Sequence, residues 1–207
     1  MAISLDKKRT ALLVMDLQKH MVHEQSPLAQ HAGFAEMVKK TGLIQRVRKV
    51  MDAARKAGML VITVKVDFSA GQFPRYPTRG EFCKILAAEN DAGQVLRPGV
   101  WGYDTVEEVA PLEGEPIVLK RHMSAFAGSN LDEVLRVRGI TDIALTGVAT
   151  SYVVTATNWS ALNYGYSCIV IEDCCTTHSD EAQAAAINTL RAIADICTAE
   201  EFIQAIK

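Results

Sequence analysis

Along this chain, short apolar runs of strand length alternate with segments of helical periodicity, and that alternation limits the fold more than any other sequence feature. Residues 10–17 (TALLVMDL), 59–66, 116–121, 143–145, 167–172 and 195–198 read as six strands. Residues 18–40 read as a loop with a short helix. Residues 41–57 then place Leu43, Ile44, Val47, Val50, Met51 and Ala54 on one helix face and stop at Gly58. Ser129, with Asp132 three positions on, opens a helix in the manner of a capping box, and Gly139 closes it. Ser179 or Asp180 caps a helix running to about Ala194, and a terminal helix follows the last strand. Strands and helices taken in turn predict an α/β fold: a mainly parallel six-stranded sheet with helices on both faces. With 207 residues and 49% hydrophobic content, the chain can bury a full core as a single domain, 1–207.

Charge and cysteine usage exclude several classes of partner. A net charge of −2 leaves no electrostatic footprint for nucleic acid or an anionic membrane. The longest apolar runs are strand-length, and Asp16 interrupts any signal-type segment. The 5 cysteines are odd in number and sit mostly in apolar settings, which points to reduced thiols in a cytoplasm. No CxxC pair, zinc-finger spacing, GxGxxG or GxxxxGK[ST] occurs, so neither a metal nor a nucleotide cofactor is indicated.

Three strand ends carry the candidate chemistry. Asp16 closes the first strand and Lys120 the third. In Thr141–Ala161 the run Ile143–Leu145 is broken at Thr146–Gly147, and Val148 to Ala161 reads as a helix with Val153, Val154, Thr157 and Ala161 on one stripe. A strand feeding a helix through a glycine turn aims backbone N–H groups at one point, where an oxyanion can develop. In a parallel sheet these strand ends converge on one cleft. Asp16 and Lys120 are open to two readings: a structural ion pair, or a proton-moving carboxylate whose pKa or orientation the lysine sets. Residues 67–101, rich in Gly, Pro and aromatics, read as a substrate-side excursion. Phe68, Phe73, Tyr76, Trp101, Phe126 and Tyr152 are candidates for the pocket wall, and Gln18 and His20 for substrate hydrogen bonds.

Four segments in order, LLVMDLQ at 12–18, VLKRHMSAFAGSNLDEVL at 118–135, TGVATSYVVTATNWSAL at 146–162 and VIEDCCTT at 170–177, resemble the isochorismatase-like hydrolases over most of the chain. That family includes nicotinamidases and N-carbamoylsarcosine amidohydrolases. The resemblance implies a Rossmann-like three-layer α/β/α sandwich. It also implies an Asp–Lys–Cys triad in which Asp16 and Lys120 match the first two members. In the pattern G-V-A-T-x-x-C-V the third position is Val153, which has no lone pair to attack a carbonyl or nitrile carbon. A cysteine-free branch, isochorismatase itself, keeps the Asp and Lys and hydrolyses a vinyl ether without a covalent intermediate. The family further implies a cis peptide at Val148–Ala149 that forms an oxyanion hole with the N–H of Val153. Metal-binding relatives carry Asp-x-His after the second strand; Asp67-Phe68-Ser69 lacks that histidine, so no metal is expected. Oligomers are usual in the family, and Trp159 on the platform helix fits that expectation.

These residues leave three readings open. The first is a cysteine-free hydrolase of a small molecule, with Asp16 as general acid or base, Lys120 assisting, and Gln18, Phe126, Val148, Ala149 and Tyr152 contacting substrate. The second is a catalytically degenerate homologue that binds a small molecule or serves as a structural partner. The third is a cysteine hydrolase whose valine was introduced to trap substrate. Cys174, Cys175 and Cys83 are the only thiols placed to substitute for the missing nucleophile, while Cys168 and Cys197 read as core.

Overall fold

The computed structural model describes residues 3–69, 79–93 and 96–207, with residues 89–93 as backbone only. In chain order the elements are β1 (Thr10–Met15), α1 (Lys19–Val22), α2 (Pro27–His31), α3 (Phe34–Thr41), α4 (Leu43–Lys56), β2 (Leu60–Val66) and α5 (Glu81–Gly93). They continue with β3 (Ile117–Lys120), α6 (Leu131–Arg136), β4 (Asp142–Val148), α7 (Thr155–Tyr164), β5 (Ser167–Thr176), α8 (Asp180–Leu190), β6 (Asp195–Cys197) and α9 (Ala199–Ala205). The strands form one 6-stranded sheet in the order β3-β2-β1-β4-β5-β6, and every pair is parallel.

Alternation along the central strands sends side chains into two separate cores, as the pleat requires. Leu12 and Val14 face α4, whose Val47, Val50 and Met51 are fully buried, and α9 adds Phe202. Leu13 and Met15 face the other way, onto Leu131 and Leu135 of α6, Val154 just before α7, Ala161 of α7 and Leu190 of α8. Three layers result, and the six-strand expectation holds.

Several boundaries differ from the sequence reading. Strand β4 does not stop at Leu145; it continues through Gly147, which pairs with Met15 on one side and Cys175 on the other. Gly147 has φ +131, and a Cβ there would stand 2.0 Å from the Met15 carbonyl oxygen, so only glycine lets the two strands approach. The helix expected from Val148 therefore starts later, with a wide turn over Thr150–Val154 before α7. Strand β5 runs to Thr176 rather than Glu172, with its register against β4 shifting between Leu145 and Gly147, so Asp173, Cys174 and Cys175 lie inside it. The capping box at Ser129 does not form. Asn130 is the N-cap of α6, Ser129 accepts from the Leu131 N–H at 3.2 Å, and Asp132 turns to Arg136 and Tyr166. Three short helices stand where a loop with one short helix was expected at 18–40, and the excursion carries α5.

Candidate active site

Asp16 follows the last residue of β1 and sits in the left-handed region at φ 58, its N–H donating to the Val64 carbonyl at 3.0 Å. That conformation is uncommon for a residue with a Cβ, though aspartate tolerates it better than most. Lys120 is the last residue of β3, two strands away. Its Nζ lies 2.9 Å from Asp16 Oδ2 and donates to the His122 carbonyl, also at 2.9 Å. Both side chains are buried, at 3% and 2% exposure. The second carboxylate oxygen, Oδ1, is buried and has no hydrogen-bond partner among the described residues. Burial pushes the Asp16 pKa up more than the Lys120 charge and hydrogen bond pull it down, so the net shift is upward from 3.8.

Beyond β4 the chain forms the third wall of the site. The peptide bond between Val148 and Ala149 is cis. The Ala149 carbonyl accepts from the N–H of Tyr152 at 3.1 Å and of Val154 at 3.3 Å, and the Thr150 carbonyl accepts from Thr155. A five-residue hydrogen-bond spacing of this kind is a π-type turn, a form that recurs at functional sites. Val148, Ala149, Tyr152 and Val153 line one cavity together with Asp16 and Lys120. The enclosed space is about 20 Å³, room for roughly one water molecule.

Five of the residues expected at the site therefore meet around Asp16: Lys120, Val148, Ala149, Tyr152 and Val153. Two others do not. Gln18 is fully buried, its Nε2 donating to the carbonyls of Val66 and Tyr103 at 3.0 Å each and its Oε1 accepting from the Val66 N–H at 2.8 Å. Its amide ties the segment after β1 to the end of β2 and to the Tyr103 carbonyl, and is absent from the cavity wall. Phe126 packs in the opposite core, stacked on Tyr164 and Tyr166 at 5.1 and 5.7 Å. Among the other aromatics, Phe68 lines the cavity, whereas Trp101 is 44% exposed against His23. Phe73 and Tyr76 lie outside the described residues. His20 is buried behind Ser26, which donates to its carbonyl at 2.7 Å.

Among the wall residues that sequence reasoning missed are Phe34, Phe82, Leu86 and Leu96. Phe82 and Leu86 stand four residues apart on α5, so a helical stripe was available inside the excursion. The thiols offer no second nucleophile at the cavity. Cys174 and Cys175 are buried in β5 with their pKa values pushed up by burial, and burial likewise carries Cys168 and Cys197 up to about 12. Cys83 lies on α5 but does not line the cavity. Asp67, just past β2, accepts from the N–H and hydroxyl of Ser69 and from the Tyr103 hydroxyl. Among the described residues no group of three or more His, Cys, Asp or Glu is placed to hold a metal ion.

The arrangement matches a known family model, the isochorismatase domain, over residues 10–201. The chain belongs to the isochorismatase family. Isochorismatase-family relatives include the ureidoacrylate amidohydrolase RutB of Rhizobium rhizogenes, 30% identical over 178 residues that cover 83% of this chain and 72% of the relative. The isochorismatase family protein YwoC of Bacillus subtilis is 32% identical over 206 residues, covering 99% of this chain and 98% of that one. The crystal structure of a cysteine hydrolase from Pseudomonas syringae pv. phaseolicola superposes with a TM-score of 0.81 at 23% identity, over 99% of this chain and 95% of that one, and so shares its fold. This isochorismatase-family chain is accordingly a hydrolase by class, and no helix among its described residues is long and apolar enough to cross a membrane.

Proposed function

We propose that this chain hydrolyses a small molecule without a cysteine nucleophile, Val153 standing where cysteine members of the family carry the attacking thiol. Asp16 is the general acid and base, and Lys120 assists it. The bond cleaved is a vinyl ether, an ester or a related C–O or C–N bond. Supporting this most directly is Asp16 itself: a buried carboxylate at the cavity wall, with one oxygen on Lys120 and the other unpartnered among the described residues. Its upward-shifted pKa suits a group that must hold a proton before giving it away. On a vinyl ether, Asp16 passes its proton to the terminal carbon, leaving a carboxylate beside the Lys120 ammonium. Water adds to the resulting oxocarbenium ion and returns a proton to Asp16, and the hemiketal then separates into alcohol and ketone.

One observation favours a second reading, a degenerate homologue that binds without turnover. The cavity has room for about one water and is roofed by the stacked rings of Phe82 and Tyr152. Hydrolysis of a panel (isochorismate, nicotinamide, N-carbamoyl compounds and simple esters) by the native chain and by Val153→Cys separates the two. Activity in the native chain that vanishes with Asp16→Asn is the expected result. Silence in the native chain with amidase activity gained in Val153→Cys would establish the second reading. The same proposal takes residues 1–207 as one domain acting in the cytoplasm as a homo-oligomer, with Trp159, 49% exposed on α7, available for a subunit contact.

A further inference from the structure

The apolar stripe that seats α8 on the sheet contains one amide. Gln183, Ile187 and Leu190 share a face of that helix by spacing. Ile187 and Leu190 pack into the core formed with Leu13 and Met15, whereas Gln183 uses both ends of its side chain for hydrogen bonds. Its Nε2 donates to the carbonyls of Cys175 at 3.2 Å and Glu172 at 3.4 Å, and its Oε1 accepts from the Thr150 hydroxyl at 2.7 Å. Carbonyls can only accept, so they fix which end of the amide faces β5 and leave its oxygen for Thr150.

The two carbonyls sit where β5 departs from its neighbour. Strand β4 advances from Leu145 to Gly147 while β5 advances from Val170 to Cys175, so Glu172 lies within the irregular stretch and Cys175 closes it. Thr150, at the other end of the clamp, opens the π-type turn and is fully buried. Its carbonyl accepts from the Thr155 N–H and from the Thr155 hydroxyl, the latter at 2.7 Å. Thr150 is thus held by the start of α7 on one side and by Gln183 on the other. Tyr152 and Val153 follow at once and face the cavity with Asp16. Moving Thr150 moves that wall.

We propose that Gln183 is a positioning residue for hydrolysis at Asp16, setting through Thr150 where the wall of Tyr152 and Val153 stands against the carboxyl group. This role rests on reading Asp16 and Lys120 as the hydrolytic centre. A substrate held between Asp16 and the turn needs its reacting atom within reach of the Asp16 proton, and a misplacement of about 1 Å can cost about 10²-fold in rate. Gln183 touches no substrate; it acts from the far side of β5.

Thr150→Val and Gln183→Met break the same bond from opposite ends. Both are compared with the native chain on a panel substrate that the native chain cleaves, at a temperature where circular dichroism shows each variant folded. In each, kcat is expected to fall about tenfold with KM changed by less than about threefold. The double variant should be slower than the slower single by no more than about twofold, because one bond is lost in all three. Ser179→Ala removes the α8 cap, where Ser179 accepts from the Ala182 N–H at 3.2 Å, and should leave kcat within about twofold. Hydrogen exchange needs no turnover: at the Tyr152 and Val154 amides, both bonded to the Ala149 carbonyl, it should rise at least about tenfold in Gln183→Met and stay unchanged at Leu13. Native kcat in both single variants, full additivity in the double variant, an equal loss in Ser179→Ala, or unchanged exchange at Tyr152 and Val154 overturns the proposal. Silence of the native chain on every panel substrate is a failure of the hydrolase reading and removes the role with it, whereas turnover that survives both single variants removes the role alone.

Discussion

Asp16 and Asp67 stand one residue past the ends of neighbouring parallel strands, β1 and β2, and are buried to nearly the same depth, at 3% and 5% exposure. Their chemistry differs because their donors differ. Both Asp67 oxygens are satisfied, one by the N–H and hydroxyl of Ser69 and the other by Tyr103 at 2.7 Å. Burial alone would raise the Asp67 pKa, but those hydrogen bonds and the Arg121 charge together carry it below 3.8. Asp16 has a single partner among the described residues, Lys120, and there burial prevails. Depth of burial does not make a carboxylate reactive. The supply of donors to its charged form decides whether it stays an anion or is ready to hold a proton.

Replacing each acid in turn should separate the two roles. Asp16→Asn is expected to lower kcat by about 10²–10⁴-fold, measured on whichever panel substrate the native chain cleaves and with circular dichroism confirming that the variant is folded. Asp67→Asn should leave kcat within about twofold, because no oxygen of Asp67 serves the cavity. Loss of activity from both substitutions, or from neither, would erase the contrast. Lys120→Met strips Asp16 of its ion-pair partner and should cost about 3–5 kcal/mol of stability at neutral pH, read by urea denaturation. Tyr103→Phe removes one of three donors to a carboxylate that keeps the other two, and should cost about 1 kcal/mol.

The smallest expected effect is the sign of a pH dependence. Asp16, with its folded pKa raised, contributes stability that is complete below its unfolded value of 3.8 and is lost as pH rises through the folded value. Asp67, with its folded pKa lowered, contributes stability that is complete above 3.8 and is lost as pH falls through the folded value. The free energy of unfolding of the native chain minus that of Asp16→Asn should therefore fall with rising pH. The same difference taken against Asp67→Asn should rise. Slopes of the same sign would show that one assignment is inverted.

Much of this architecture was legible because the pattern was local. The stripe Leu43–Ala54 and the run TALLVM need only periodicity to be placed, and both stand within two residues of their expected bounds. The convergence of Asp16, Lys120 and the segment Val148–Val153 followed from the parallel order of strands. What could not be read depended on contacts between distant segments. Gln18 looks like a polar loop residue until β2 and the Tyr103 carbonyl arrive to occupy its amide. Phe126 and Phe82 are equivalent as letters, yet tertiary packing sends one to the α7 side of the sheet and the other over Tyr152. The extension of β4 through Gly147 was hidden because a glycine reads as a break, while a strand pressed against a neighbouring carbonyl needs it.

Lys120 belongs to an edge strand of four residues, and Asp16 to the centre of the sheet. The lysine must cross the width of β2 to reach its partner, roughly two strand spacings of about 5 Å each. The ion pair is therefore only as durable as the pairing of β3 with β2, where Ile117 and Leu119 are half open to solvent, at 49% and 43% exposure. Edge strands open by local fluctuations that cost far less than unfolding the whole chain. Each such opening withdraws the ammonium and leaves the central carboxylate alone in an apolar hollow. On warming, the site should switch off while the sheet around it is still intact, and amide exchange at Leu119 should rise before that at Leu13.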